Sequence, residues 1–235
     1  MIQRALILAG GEALRLRPHT DDVPKAMVVV AGKPIIHWII DWLKSNNITK
    51  IDIGVDYKKE VLMDYLKDGK SLGVEIRYND HHGAEGTGDA LRRAIENLKI
   101  EDENFIAMNG DELTDLPIKS LYNYHREHQP IVTIVTSQVQ LPFGVVETEP
   151  DGKIVTFREK PVLKEHVNMG VYIFNKEVIN HLPEKGNIEH TTFPELAKIG
   201  KIRAFRYSGF WRTINDIKDL KITEERLKNL DYKLN

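Results

Sequence analysis

The sequence predicts an α/β fold in which a mostly parallel sheet carries helices on both faces. Two observations in the 235 residues point to this class. Apolar, strand-like runs alternate with amphipathic helical patterns through the first half, and this β-α-β order is typical of parallel sheets. The strand-like runs also end in short polar loops that contain glycine. In parallel sheets such loops gather at one edge and form the ligand-binding crevice.

The elements of the first half follow from this periodicity. A strand is predicted at residues 4–9 and ends in Gly10-Gly11. Apolar residues then recur with helical spacing over residues 34–47, where Pro34 is suited to opening a helix. The remaining predictions alternate between strands at 50–55, 74–79 and 104–110 and helices at 58–69 and 88–98.

The second half is dominated by strand patterns, and Asp151-Gly152 predicts a hairpin turn. The predicted elements are strands at 129–138, 143–161, 167–175 and 201–208, a helix at 191–200 and an amphipathic helix at 214–230. We expect that last helix to dock on the protein's own sheet, with a dimer contact as the alternative. We find no low-complexity linker and no internal repeat, so a single domain over residues 1–235 is expected.

The composition excludes several functional classes. The chain has 33 Lys and Arg against 35 Asp and Glu, and a net charge of -2 gives no general attraction to nucleic acid. The absence of cysteine excludes disulfides, thiolate metal sites and a cysteine nucleophile. No apolar run approaches the ~20 residues of a membrane span, and the first run is too short for a signal peptide. We therefore expect a cytoplasmic protein without nucleic-acid or membrane partners.

The loop after the first strand, LAGGEALRLRP, contains the first candidate site. A glycine pair after a strand is often only a turn, and this one fits neither the dinucleotide fingerprint nor the P-loop. Yet Arg15, Arg17 and Lys25 follow on a segment stiffened by prolines, and such cations beside exposed backbone N–H groups suit a polyphosphate. The loop is either an ordinary turn or a phosphate site, in which Arg15 is a bidentate clamp and Lys25 a point charge.

Four further motifs place polar residues at turns or strand ends. In MNGDELTD, Asp111 is either a turn residue or an anchor for Mg²⁺, which needs few protein carboxylates when substrate phosphates supply oxygens. In FREKP, taken alone, Glu159 and Lys160 indicate a surface ion pair. Asn168 interrupts an apolar strand and indicates a ligand or a bulge. The glycines of HHGAEGTGDAL indicate a flexible loop or close backbone approach to a flat group.

Together these motifs make the chain resemble the sugar-1-phosphate nucleotidyltransferases. The family signature L-A-G-G-x-G-T-R-L-x-P, then P-K-P-M and G-K-P, corresponds here to LAGGEALRLRP, PKAM and GKP. The segments GTGDAL, NGD, FGVV, FREKP, NMG and GFWRTINDIKDL follow in the family's order. The resemblance covers residues 3–220.

The resemblance implies a doubly wound fold of the nucleotide-diphospho-sugar transferase type, with a mixed, mostly parallel sheet. It implies that an NTP and a sugar 1-phosphate react with Mg²⁺ to give an NDP-sugar and pyrophosphate. Residues 1–115 would form the nucleotide-binding half, and residues 116–235 would form the sugar-phosphate-binding half with the C-terminal helix.

Matching the motifs residue by residue assigns a role to each position. The implied catalytic residues are Arg15, Lys25 and Asp111. The implied nucleotide-binding residues are Leu8, Ala9, Gly10, Gly11, Glu12, His81, Gly86 and Thr87. The implied sugar-phosphate-binding residues are Asn109, Gly110, Gly144, Glu159, Lys160 and Asn168. The implied metal ligands are Asp111 and either Asn215 or Asp216.

Four positions depart from the family pattern. Ala13 replaces a glycine, so either its φ is negative or the loop carries local strain. Leu14 removes a hydroxyl that could contact a phosphate oxygen. Thr213 stands where many relatives have the second metal aspartate. His81 replaces a glutamine that often faces the base, which leaves the base of the NTP open among guanine, uracil, thymine, cytosine and adenine.

These departures keep an alternative function in view, a catalytically impaired relative that binds nucleotide or sugar phosphate as a regulatory subunit. Retention of Arg15, Lys25, Asp111 and Lys160 favours an active enzyme instead. An NAD-type dinucleotide-binding enzyme is a third hypothesis, and the missing glycine pattern after the first strand opposes it. The sugar and the oligomeric state, monomer or homo-oligomer, stay open at this stage.

Overall fold

The computed structural model describes residues 2–229 of the chain. Its strands are β1 (Arg4–Leu8), β2 (Val29–Val30), β3 (Lys33–Pro34), β4 (Lys50–Val55), β5 (Glu75–Asp80), β6 (Asn104–Asn109), β7 (Glu112–Thr114), β8 (Val132–Ser137), β9 (Val145–Thr148), β10 (Ile154–Arg158), β11 (Val167–Asn175), β12 (Ile202–Arg206) and β13 (Trp211–Thr213). Its α-helices are α1 (Ile35–Ser45), α2 (Lys59–Leu66), α3 (Thr87–Asn97), α4 (Ile118–His128), α5 (Thr192–Lys198) and α6 (Ile217–Asn229). Short 3₁₀ helices cover Leu14–Leu16, Lys25–Met27, Lys70–Leu72 and Lys176–His181.

A seven-stranded sheet with the order β12-β8-β11-β6-β1-β4-β5 forms the centre of the protein. Strands β5, β4, β1 and β6 are mutually parallel, and β8 and β12 point the same way. Only β11 is antiparallel to its two neighbours within this sheet. The predicted mixed, mostly parallel sheet is therefore confirmed, and strands from both halves of the sequence share it.

Two hydrophobic clusters cover the two faces of the sheet. Along β1, Ala5 and Ile7 belong to the cluster that includes the buried side chains of α1, α2 and α6. Leu6 points to the other face and packs in the cluster that includes α3 and α5. Because successive strand residues alternate between faces, the apolar run Ala5–Leu8 of β1 serves both clusters. Helices on both faces are thus confirmed.

A buried carboxylate ties the first parallel strands together. Asp52 on β4 has no exposed surface, and its carboxylate accepts hydrogen bonds from Arg4 Nη1 at 2.9 Å and from Arg77 Nε at 2.7 Å. The two arginines come from β1 and β5, the neighbours of β4 on either side. Removing either arginine would weaken the compensation of a buried charge, which is costly.

Two segments differ from the sequence-based predictions. Residues 118–128, to which no element was assigned, form α4. The sequence did not predict this helix because His125 lies on its buried face beside Ile118 and Leu121 and breaks the apolar pattern. The predicted C-terminal helix is present as α6, and Leu220 and Leu227 bury its apolar face. It packs against β2 and β13, and its buried leucines join the hydrophobic cluster on one face of the large sheet. Residue 230, the end of the predicted helix, lies outside the described residues.

The predicted hairpin is also present. Strands β9 and β10 are antiparallel, and Gly152, with φ at +89°, occupies the turn that Asp151-Gly152 predicts. All five residues of β10 are exposed. The hairpin therefore stands away from the body of the protein, next to the edge where β8 ends.

Candidate active site

A cavity of about 480 Å³ opens at the carboxyl ends of the parallel strands. Strands β1, β4 and β6 end at it, and the N-terminus of α3 closes one side. This is the edge at which ligands bind in open α/β sheets. The lining residues are Leu8, Ala9, Gly10, Gly11, Ala13, Lys25, Ala26, Asp56, His81, Ala84, Gly86, Thr87, Ala90, Asn109, Gly110, Asp111 and Asn187.

The imidazole of His81 packs against the glycines of two strand ends. A Cβ built on Gly10 would lie 2.3 Å from His81 Nε2, and one built on Gly54 would lie 2.9 Å from His81 Nδ1. A Cβ on Gly11 would meet nothing within 4 Å. Gly10 is therefore required by the packing of this ring, whereas Gly11 faces open space.

His81 is a buried residue of the cavity wall with one ring nitrogen that makes no hydrogen bond. The residue is 8% exposed, and its Nδ1 is buried without a hydrogen-bond partner among the described residues. Burial lowers the pKa of His81, so the ring is neutral at pH 7. A neutral imidazole at the cavity wall can donate through one nitrogen and accept through the other.

Three polar groups converge at the cavity end of β6. The ammonium of Lys25, from the 3₁₀ helix after the first loop, donates to a carboxylate oxygen of Asp111. The same ammonium donates to Asn215 Oδ1 at 3.0 Å. Asn215 comes from the turn after β13, so residues 190 positions apart in sequence meet around one cation. Both oxygens are of the kind that a hard divalent cation binds.

Asn215 and Asp216, the two alternatives for the second metal ligand, have different surroundings in the structure. Asn215 Nδ2 donates to Thr213 Oγ1 at 3.2 Å, which turns the amide oxygen toward Lys25. Asp216 Oδ1 instead accepts from the backbone N–H of Asp219 at 2.8 Å, at the start of α6. Asn215 thus stands beside Asp111, while Asp216 caps a helix.

Glu112 is a buried acid that the sequence analysis does not single out. Its Oε2 accepts from Trp211 Nε1 at 2.7 Å, and the residue is 6% exposed. Burial, followed by the neighbouring charge of Asp111, raises the pKa of Glu112 well above its usual value. The adjacent acids in NGDELTD were visible in the sequence, but the burial of Glu112 was not.

The first loop places its residues unevenly around the cavity. Ala13 has φ 51° and ψ 59°, so the strained alternative of the sequence analysis is the one observed. Leu14 is 59% exposed. Arg15 is exposed on the 3₁₀ helix Leu14–Leu16 and, like the exposed Glu12, does not line the cavity.

The two glycines at the start of α3 are needed for contact with another loop of the protein. A Cβ on Gly86 would lie 2.5 Å from the carbonyl carbon of Gly186, and one on Gly88 would lie 2.6 Å from Pro183 Cγ. The backbone N–H of Thr87 donates to Asn187 Oδ1 at 3.0 Å. Asn187, which sequence reasoning missed, therefore joins the second half of the chain to the cavity.

The residues expected to bind sugar phosphate fall into two groups, apart from Asn168. Asn109 and Gly110 line the cavity. Asn168 lies at a bulge of β11, where its side chain donates to the Tyr172 hydroxyl and accepts from the Gly170 N–H. Internal hydrogen bonds thus account for this asparagine in the strand.

The second group lies on the exposed hairpin and its ends. A Cβ on Gly144 would lie 3.1 Å from Glu159 Oε2, and Lys160 Nζ lies 4.0 Å from Glu159 Oε1. The structure thus brings Gly144, Glu159 and Lys160 close to one another. None of the three lines the cavity.

The comparison with family models decides the affiliation of this chain. A model described as nucleotidyl transferase matches residues 4–219. The chain belongs to the nucleotidyl transferase family. Its motifs are those of the sugar-1-phosphate nucleotidyltransferases, and the relatives described next support that assignment.

Two curated relatives of this nucleotidyl transferase have names that indicate different substrates. A UTP–glucose-1-phosphate uridylyltransferase of Synechocystis sp. is 33% identical, with 84% of this chain and 56% of the relative covered. A mannose-1-phosphate guanylyltransferase catalytic subunit beta of Drosophila pseudoobscura pseudoobscura is 36% identical, with 92% and 60% covered. The chain spans little more than half the length of these relatives.

Solved structures show the same fold. HddC from Yersinia pseudotuberculosis matches with a TM-score of 0.75 and 24% identity over 96% of this chain and 100% of that chain. A putative glucose-1-phosphate thymidylyltransferase from Bacillus anthracis matches with a TM-score of 0.76 and 23% identity over 97% and 96%. The predicted fold type is confirmed. Among residues 2–229, no helix has the length and apolar character needed to cross a membrane.

Proposed function

We propose that this nucleotidyl transferase transfers a nucleotidyl group from an NTP to a sugar 1-phosphate, in a reaction that depends on Mg²⁺. An oxygen of the sugar phosphate attacks the α-phosphorus, the bond to the β-phosphate oxygen breaks, and NDP-sugar and pyrophosphate result. The names of the two curated relatives, a uridylyltransferase and a guanylyltransferase for sugar 1-phosphates, support this reaction class.

The observation that carries the proposal is the convergence of Lys25, Asp111 and Asn215 at the mouth of the cavity. The chemistry of these donors fits Mg²⁺, because a carboxylate and an amide oxygen already face one cationic group. No cluster of three or more His, Cys, Asp or Glu side chains suited to a metal occurs within residues 2–229. Two protein ligands and substrate phosphates suit Mg²⁺, which usually keeps several waters as well.

Each member of this group has a role in the proposed reaction. Asp111 and Asn215 would hold the cation, which when bound neutralises charge on the reacting phosphates. Lys25 places a second positive charge beside the phosphates. Thr213 acts through Asn215, whose amide oxygen it orients by accepting from Nδ2. Catalysis of this kind rests on positioning and charge neutralisation.

The rest of the cavity suits the nucleoside. Leu8, Ala9 and Ala90 give it an apolar wall, and the neutral ring of His81 also lines it. The unpartnered Nδ1 of this ring is buried against Gly54, so pairing with a base requires a small movement of the ring. Buried polar groups of this kind discriminate strongly between ligands that pair with them and ligands that do not. We therefore propose His81 as the residue that reads the base.

The acceptor sugar phosphate would lie between Asn109 at the cavity and the group formed by Gly144, Glu159 and Lys160 on the hairpin. Arg15 would meet the leaving pyrophosphate from the exposed side of the first loop. Both roles require the loop and the hairpin to approach the cavity when substrates bind, because neither Arg15 nor Lys160 lines it in the described structure.

Pyrophosphate release tests the proposal and its rival together. Purified protein is incubated with each of five NTPs and a panel of sugar 1-phosphates, with and without Mg²⁺. We expect release that requires all three components in at least one combination. Binding of NTP without release across the panel would contradict the proposal. It would favour the regulatory relative, which Ala13, Leu14 and Thr213 suggest.

A further inference from the structure

A second cavity, of about 660 Å³, lies where β8 and β12 end, beside β13 and α6. It shares no lining residue with the first cavity. The lining residues are Ser137, Gln138, Val139, Gln140, His166, Arg206, Tyr207, Ser208, Gly209, Phe210, Trp211, Arg212, Thr213, Asp219 and Arg226. We call it the arginine cavity.

The arginine cavity carries an excess of positive charge. Arg206, Arg212 and Arg226 line it, and of the residues that the structure describes only Asp219 adds an acidic side chain to its wall. None of the three guanidinium groups forms an ion pair with a carboxylate among residues 2–229. The Asp219 carboxylate is itself engaged, since Oδ2 accepts from the backbone N–H of Asn215 at 3.0 Å.

Arg212 lies among these charges with one buried donor unpaired. Its Nε is buried and has no hydrogen-bond partner among the described residues. Burial, followed by the nearby Arg226, lowers the pKa of the Arg212 guanidinium. Buried donors are normally satisfied, and a guanidinium fork matches a phosphate group in charge and geometry.

The walls of the arginine cavity suggest the size and shape of its ligand. Tyr207, Phe210 and Trp211 supply aromatic surface, and arginines and aromatic rings together suit a compact organic phosphate. We propose that the arginine cavity binds a phosphate-bearing small anion, at a site separate from the cavity proposed for catalysis.

The two cavities are connected through β13. Thr213 lines the arginine cavity and accepts from Asn215 Nδ2, and Asp219 lines it and accepts from the Asn215 N–H. An anion bound at Arg212 would therefore act on both groups that orient Asn215. Its occupancy changes the rate of nucleotidyl transfer. This consequence rests on the proposed function, whereas binding to the cavity does not.

Calorimetry on the full chain tests binding directly, with pyrophosphate and UDP as separate probes. We expect the Arg212→Met/Arg226→Gln protein to lose at least about 10-fold in affinity for one class of site, as loss of charge-assisted contacts predicts. Arg206→Gln should weaken the same class. Arg203→Gln is the matched control, because Arg203 is exposed on the same strand and lines neither cavity.

Each outcome bears on the proposal. A class of sites that weakens in the arginine variants, but not in Arg203→Gln or in Lys25→Met, supports it. Tighter binding of UDP than of pyrophosphate at that class would identify an organic phosphate, and equal binding would identify the phosphate group alone as the ligand. If the arginine variants bind both probes as the wild type does, the proposal is overturned, whether or not the protein turns over substrate.

Discussion

Replacing Gly10 with alanine should force His81 out of its place in the cavity wall. The added Cβ would lie 2.3 Å from His81 Nε2 and 2.9 Å from its Cε1, whereas ordinary contact begins at 3.4 Å. The overlap of about 1 Å cannot be absorbed by bond rotation alone, because the ring is 8% exposed and also packs on Gly54. Overpacking of this kind costs about 1–3 kcal/mol.

Urea unfolding measures this cost, and the chain supplies a matched control. Gly11→Ala adds the same methyl group one residue later, where nothing lies within 4 Å. Neither glycine has a positive φ, so both variants gain equally from reduced freedom of the unfolded chain. We therefore expect Gly10→Ala to be less stable than Gly11→Ala by about 1–3 kcal/mol.

A double-mutant cycle identifies the ring as the cause. In the background of His81→Ala the clash with the ring disappears and only the contact with Asp56 Cβ at 2.9 Å remains. Gly10→Ala should then cost at least about 1 kcal/mol less than it does in the wild-type protein. Equal stability of Gly10→Ala and Gly11→Ala would refute the packing argument. A Gly10→Ala cost that is unchanged by His81→Ala would refute the role of the ring.

Two further predictions concern His125 and the proposed metal site. Burial lowers the pKa of His125 to about 4, below its unfolded value of 6.5. The contribution of the neutral ring to the free energy of unfolding is therefore fully present above pH 6.5 and is lost as the pH falls through 4. The loss is on the order of 2–3 kcal/mol. Urea unfolding at pH 7 and pH 4 should show this loss in wild type and less of it in His125→Asn, and equal losses would contradict it. At the metal site, Asn215→Ala should raise the Mg²⁺ concentration for half-maximal pyrophosphate release by at least about 10-fold, and Thr213→Val should raise it less. An unchanged half-maximal Mg²⁺ concentration in Asn215→Ala would exclude Asn215 as a ligand.

Much of the fold could be predicted because its signals are local. The apolar run of β1, the helical spacing of α1 and the Asp151-Gly152 turn each depend on a few neighbouring residues. Helix α4 escaped prediction because one of its buried positions is His125, whose two ring nitrogens are satisfied by Thr133 and Asn104. A buried histidine looks polar in sequence, so the apolar stripe of this helix is broken.

The candidate site was predictable only where its residues follow a strand end. Asp111 follows a strand that ends at the cavity edge of the sheet, and Lys25 lies in the loop after β1, so both were named as candidates. The choice between Asn215 and Asp216 depends on which side chain caps α6, and adjacent polar residues give no sequence signal for that. Asn187 reaches the cavity through a contact between residues 100 positions apart, which local patterns cannot show.

A single-turnover measurement with α-labelled NTP, a sugar 1-phosphate and Mg²⁺ tests the central claim most directly. It compares the wild type with Asp111→Asn and Asp216→Asn, where asparagine at 216 keeps the cap of α6. We predict labelled NDP-sugar from the wild type and from Asp216→Asn at similar rates. The Asp111→Asn rate should fall by about 10²–10³ or more. Equal rates for Asp111→Asn and the wild type would contradict the assignment of this cluster as the centre of nucleotidyl transfer.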